Sequence, residues 1–67
     1  MSKMIIRNKN SKEVGYIMTD SKGKQTAYNI KGEKLGSFDP KTNITKNNKN
    51  VSMGSGNLLA GIILSNS

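Results

Sequence analysis

The chain has 67 residues, 33% of them hydrophobic, with 11 Lys and Arg against four Asp and Glu for a net charge of +7. It has no Cys and no His, which excludes disulfides, thiolate metal sites, the commonest acid–base group and the commonest neutral metal ligand. A domain this small buries only about 60% of its unfolded surface, so its core is thin and self-association is an expected reinforcement.

Over residues 1–54 no long run keeps a helical period of 3.6, and Gly, Asn, Ser and Thr are scattered through it. Turn-forming clusters recur instead: Asn8-Lys9-Asn10-Ser11, Asp20-Ser21-Lys22-Gly23, Lys31-Gly32, Asp39-Pro40-Lys41-Thr42-Asn43 and Asn47-Asn48-Lys49-Asn50. The segments between them predict strands over 3–7, 13–19, 25–30, 34–38, 43–46 and 51–53, a hairpin meander. Val14, Tyr16 and Met18 alternate with Gly15, Ile17 and Thr19, and Thr26, Tyr28 and Ile30 with Gln25, Ala27 and Asn29. Gly54-Ser55-Gly56-Asn57 reads as a hinge with an N-cap at Ser55 or Asn57. In the apolar segment that follows, Leu58, Leu59, Ile62 and Ile63 share one helical face. A short helix is favoured over a short buried strand, and these four residues are the expected core or oligomer contact. The chain is thus read as an all-β meander closing into a small barrel over 1–56, with segment 57–67 packed on the same domain.

The turns carry an internal repeat. The segment from Asn10 to Ile17 overlays the segment from Lys31 to Phe38, and that from Asn47 to Gly54 is a weaker third copy. On this overlay Ser52 stands where the first two copies have Gly15 and Gly36. The repeats are hairpin-sized, which suggests pseudo-symmetry. The unit Tyr28-Asn29-Ile30-Lys31-Gly32-Glu33-Lys34-Leu35-Gly36-Ser37-Phe38-Asp39 and the closing Gly56-Asn57-Leu58-Leu59-Ala60-Gly61-Ile62-Ile63 resemble the β-flower family over about residues 4–64. The resemblance implies a shallow, pseudo-symmetric barrel of β-hairpin petals, in a family whose biochemical role is largely unassigned, and it supplies no catalytic residues. The third unit departs from the pattern, with Asn48 for the turn Gly, Ser52 for the small Gly, and no aromatic following.

The carboxylates Glu13, Asp20, Glu33 and Asp39 lie in or beside turns, each near a Lys, and the Ser and Thr hydroxyls have no His partner. No enzyme, cofactor or metal is expected from such a set. Ten of the 11 cations are Lys, which suits loose attraction to polyanions better than the bidentate recognition that Arg provides. In a meander, successive turns alternate between two ends. One end gathers Lys9, Lys12, Lys31, Lys34, Lys46 and Lys49 with Glu13 and Glu33, a charge of +4; the other gathers Lys22, Lys24 and Lys41 with Asp20 and Asp39, a charge of +1; Lys3 and Arg7 supply the rest. Arg7, Lys12, Lys31, Lys34, Lys46 and Lys49 are the expected anion-binding residues. The aromatics Tyr16, Tyr28 and Phe38 all fall at core-like strand positions, and Tyr28 is the one assigned a stacking role.

The expected function is that of a non-enzymatic basic module that captures a phosphate-bearing partner, a nucleotide-type ligand or nucleic acid, on a homo-oligomer's repeated surface. A plainer alternative is that the Lys excess keeps strand edges unpaired and the protein soluble. Two further alternatives use the apolar segment: a membrane-surface or protein-interaction module, and a self-assembling structural subunit. In the membrane reading, removing residues 57–67 abolishes membrane association and leaves the barrel folded. No segment reaches the roughly 18–20 apolar residues of a membrane span, and a cytoplasmic location is expected.

Overall fold

The chain folds back on itself at five turns, each opened by Asn or Asp, in a computed structural model that describes residues 2–65. Residue 1 and residues 66–67 of the predicted terminal segment lie outside the described residues. At Asn8, Asp20, Asn29 and Asn47 the side-chain Oδ1 accepts hydrogen bonds from the backbone N–H groups two and four residues on, at 2.9–3.1 Å. The residue three on takes a positive φ: Ser11 at 63°, Gly23 at 84°, Gly32 at 86° and Asn50 at 66°. Short polar side chains and Gly are the residues that fit such positions. Asp39 opens a longer loop, in which Asn43 carries the positive φ of 58° and donates its N–H to the Asp39 carbonyl at 2.8 Å.

The strands so connected are β1 (Ser2–Arg7), β2 (Glu13–Thr19), β3 (Gln25–Asn29), β4 (Lys34–Asp39), β5 (Ile44–Asn47) and β6 (Ser52–Ser55). They form one antiparallel sheet in sequence order. The predicted strands correspond one to one with these. Ile30, assigned to the third strand, instead occupies the turn and is 62% exposed. The sheet is open: β1 pairs with β2 alone and β6 with β5 alone. The expected barrel closure is therefore absent among the described residues. The physical reason lies at the end of β6, where Gly56 adopts a φ of 83° and turns the chain away from the sheet after four strand residues.

The three hairpins that begin at Asn8, Asn29 and Asn47 repeat a second feature. In each, the returning strand carries one extra residue opposite its partner, at Val14, Leu35 and Met53. Such a bulge bends the strand and re-aims a side chain. Val14 is buried and Leu35 packs against the core. Gly15, Gly36 and Gly54 follow directly. The third copy of the repeat is thus set two residues later than the sequence overlay places it: Asn50, not Asn48, holds the turn position, and Gly54, not Ser52, is the small residue.

The terminal segment is helical, α1 (Leu59–Ser65). Of the two N-cap candidates, Asn57 acts: its Oδ1 accepts from the Leu59 N–H at 3.2 Å while its Nδ2 donates to Gln25 Oε1 at 2.6 Å. The helix lies across β1 to β4 and buries Leu59, Ile62 and Ile63 against Val14, Ile17 and Ala27, with Ile6, Leu35 and Phe38 at the margin. Leu58, expected on the same face, stays 40% exposed, because the face that meets the sheet centres on Leu59 and Ile63. Thr45 ties the helix approach to β5. Its buried hydroxyl donates to the Gly56 carbonyl at 2.6 Å and accepts from the Leu58 N–H at 3.1 Å. Thr45→Val keeps the shape and strands both backbone groups, so a loss of about 2 kcal/mol is expected, read as a lower urea midpoint at unchanged slope.

Candidate functional site

The helix covers one face of the sheet and leaves the other bare. Residues opposite one another in an antiparallel pair share a face, so the register places two central rows on the bare side. One row runs Ile5, Tyr16, Tyr28, Lys34. The other runs Lys3, Met18, Thr26, Ser37, Lys46, Ser52. These rows hold three lysines; alternation along the strands sets two further pairs on the same side, Arg7 with Glu13 and Asp39 with Ile44, so the face also carries one more cation and two carboxylates.

Tyr16 and Tyr28 face each other across β2 and β3 with ring centroids 5.0 Å apart and planes 20° from parallel. Lys3 Nζ sits over the Tyr16 ring, 4.6 Å from its centroid, a cation–π contact that fixes a flexible ammonium beside the aromatic pair. Lys34 stands directly opposite Tyr28. Both tyrosines are half-buried. The third aromatic, Phe38, lies on the helix side and packs on the core. Beside Tyr28, towards the Asp20 turn, is a recess of about 230 Å³ lined by Met18, Thr19, Asp20, Lys24, Thr26 and Tyr28.

Of the seven residues expected to bind anions, the structure brings Tyr28, Lys34 and Lys46 to these two rows. Lys12 and Lys31 instead line a groove of about 350 Å³ between the Asn8 and Asn29 turns, together with Glu13 and Glu33, so that groove is balanced in charge. Arg7 Nη2 lies 3.5 Å from Glu13 Oε1 across the first hairpin, and Lys49 is exposed on the Asn47 turn. The sequence reading missed Lys3 and Tyr16. The alternation of β2 and β3 contained the signal for Tyr16, since pairing the strands around their turn sets Tyr16 against Tyr28. Nothing local marked Lys3, which arrives from β1.

The strand directions also fix the charge at each end. Arg7 joins the end with the Asn turns, giving seven cations and two carboxylates, +5; Lys3 joins the end with the Asp turns, giving four cations and two carboxylates, +2. The carboxylates are engaged or built into turns: Glu13 by Arg7, Glu33 by Asn29 Nδ2 at 2.9 Å, and Asp20 and Asp39 by turn N–H groups.

A second surface is apolar. Met53, the third bulge residue, is 49% exposed because α1 covers the first two hairpins and stops short of the third. With Leu58, Gly61, Ile62, Asn57 and Ser65 it lines a groove of about 350 Å³ next to β6. Comparison of the chain with protein-family models, with curated proteins and with solved structures yields no match.

Proposed function

We propose that this protein is a non-enzymatic binding module that captures phosphate-bearing ligands of the nucleotide or nucleic-acid type on the bare face of its sheet. The observation that carries this reading is the stacked Tyr16–Tyr28 pair with Lys3 over it and Lys34 and Lys46 in the same two rows. Aromatic rings on an open antiparallel sheet give bases a stacking platform, and ammonium groups alongside meet phosphates. Lys is suited to this because it contacts phosphate as a mobile point charge. The wider field of the +7 chain draws such ligands in.

The test is a titration with short single-stranded DNA and RNA and a nucleotide panel at two salt concentrations. With three lysines on the face, the affinity for a single strand is expected to fall with salt at a logarithmic slope of about −2. Tyr28→Leu is expected to weaken binding by roughly tenfold at unchanged slope, and Lys34→Gln to reduce the slope. No binding to any member of the panel defeats the proposal.

The apolar groove at Met53 and Leu58 favours a second reading, self-association or protein docking. The strand beside it, β6, is an edge without a charged residue, whereas the β1 edge carries Lys3 and Arg7, the residues that discourage edge pairing. Joining of open edges between copies would also close the sheet into the barrel that the β-flower resemblance implies. Native mass spectrometry decides: a strict monomer removes both the homo-oligomer and the closed assembly. No helix among the described residues is long and apolar enough to cross a membrane.

A further inference from the structure

We propose that the recess beside Tyr28 receives a guanine base, an inference that rests on the bare face being a nucleotide-type binding surface. At about 230 Å³ the recess falls below the range of pockets for drug-sized ligands and has room for a single base. Tyr16 covers one side of the Tyr28 ring, and Tyr28, but not Tyr16, lines the recess. Met18 adds a polarisable thioether, which packs well against aromatic rings. Thr26, in the same row as Met18, adds a hydroxyl that both donates and accepts.

Asp20 sets the choice of base. Its turn uses Oδ1 alone, which accepts from the N–H groups of Lys22 at 2.9 Å and Lys24 at 3.0 Å. Asn8, Asn29 and Asn47 make the same turn with an amide oxygen. The negative charge at Asp20 is therefore not needed for the turn, and it runs against the economy of a site meant only to attract anions. A carboxylate has acceptor capacity left when one oxygen is engaged. Guanine presents N1–H and the N2 amine side by side on its Watson–Crick edge, two adjacent donors for such an acceptor. Thymine and uracil present one N–H between two carbonyls, which a carboxylate repels. Adenine and cytosine place one amine next to an acceptor nitrogen. Lys24, also in the lining, supplies the cation for the phosphate of the same nucleotide, and Lys3, Lys34 and Lys46 serve its neighbours in a strand.

Fluorescence polarisation with oligothymidine, with the same strand carrying guanines, and with guanosine monophosphate as competitor tests this on three proteins: wild type, Asp20→Asn and Asp39→Asn. Asp20→Asn retains the turn, as the three Asn turns show. Asp39→Asn makes the same charge change at the same end of the sheet, outside the recess. The wild type is expected to prefer the guanine strand by roughly tenfold. Asp20→Asn is expected to lose that preference without losing affinity for oligothymidine, and Asp39→Asn to keep it. Competition by the mononucleotide at matching affinity assigns the site to free nucleotide; its failure assigns it to guanine within a strand. Equal binding of both strands by the wild type, or a preference that survives Asp20→Asn, overturns the guanine site and leaves the binding face standing. Failure of both strands and the mononucleotide to bind overturns the two together.

Discussion

Gly15→Ala is expected to destabilise the protein by about 3 kcal/mol, while the same change at Gly61 stabilises it by about 1 kcal/mol. The opposite signs follow from what a new Cβ meets. At Gly15 it runs into the carbonyl oxygen of Tyr28 and lies 2.7 Å from Ile63 Cγ2. The first neighbour is backbone held in the β2–β3 ladder, and the second is a fully buried side chain of the helix, so relief requires lifting α1 off the sheet. At Gly61 there is no atom within 4 Å, and alanine only removes the entropy cost of glycine in a helix. Gly36 resembles Gly15, with the Lys46 carbonyl oxygen at 2.6 Å and Ile62 Cδ1 at 3.4 Å, and is expected to behave like it. For 67 residues the total stability is on the order of 7 kcal/mol, so the Gly15 change removes a large part of it. Thermal and urea melts followed by circular dichroism read both signs, and a Gly15→Ala midpoint equal to the wild type would contradict the packing described.

These glycines also explain what was legible in the sequence. Turn residues and strand alternation are local signals, and they placed the six strands and the meander order. The small residues after Val14 and Leu35, Gly15 and Gly36, recurred at one position of the repeat, and they are where α1 rests. The third copy was set out of phase because its turn uses Asn50 where the second uses Gly32, and its bulge uses Met53 where the others use Val14 and Leu35. An overlay of residue types has no access to φ or to ladder register, which are what the copies share. The same limit applies to the site. Charge grouping by ends was readable, because antiparallel strands force it. Which lysines face the tyrosines depends on the bulges and on β1, whose contribution, Lys3, comes from more than ten residues away in sequence. The openness of the sheet depends on the turn at Gly56, and the sequence reading took that segment as a hinge without a direction.

Removal of residues 57–67 is expected to unfold the sheet, contrary to the expectation that the segment is separable. The helix supplies Leu59, Ile62 and Ile63, half of the six buried hydrophobic residues among the described ones. A sheet needs an apolar layer on at least one face to be stable in water, and the bare side here offers the tyrosine pair with Ile5, Met18 and Ile44, none of them buried, among charged and polar residues. Ile63→Ala, which leaves a void under a side chain with no exposure, is expected to cost about 3 kcal/mol. Leu58→Ser tests the outer surface of the same helix. At 40% exposure Leu58 has little to lose on folding, so a change within about 1 kcal/mol is expected. The pair separates two roles of one short segment. If Met53 and Leu58 form a contact between copies, Leu58→Ser lowers the mass in solution with the melt nearly unchanged, whereas Ile63→Ala lowers the melt first. A truncated chain that keeps its strand circular dichroism and dispersed amide resonances would mean that the sheet is held by its turns and tyrosines, and that the helix is a cover and not the core.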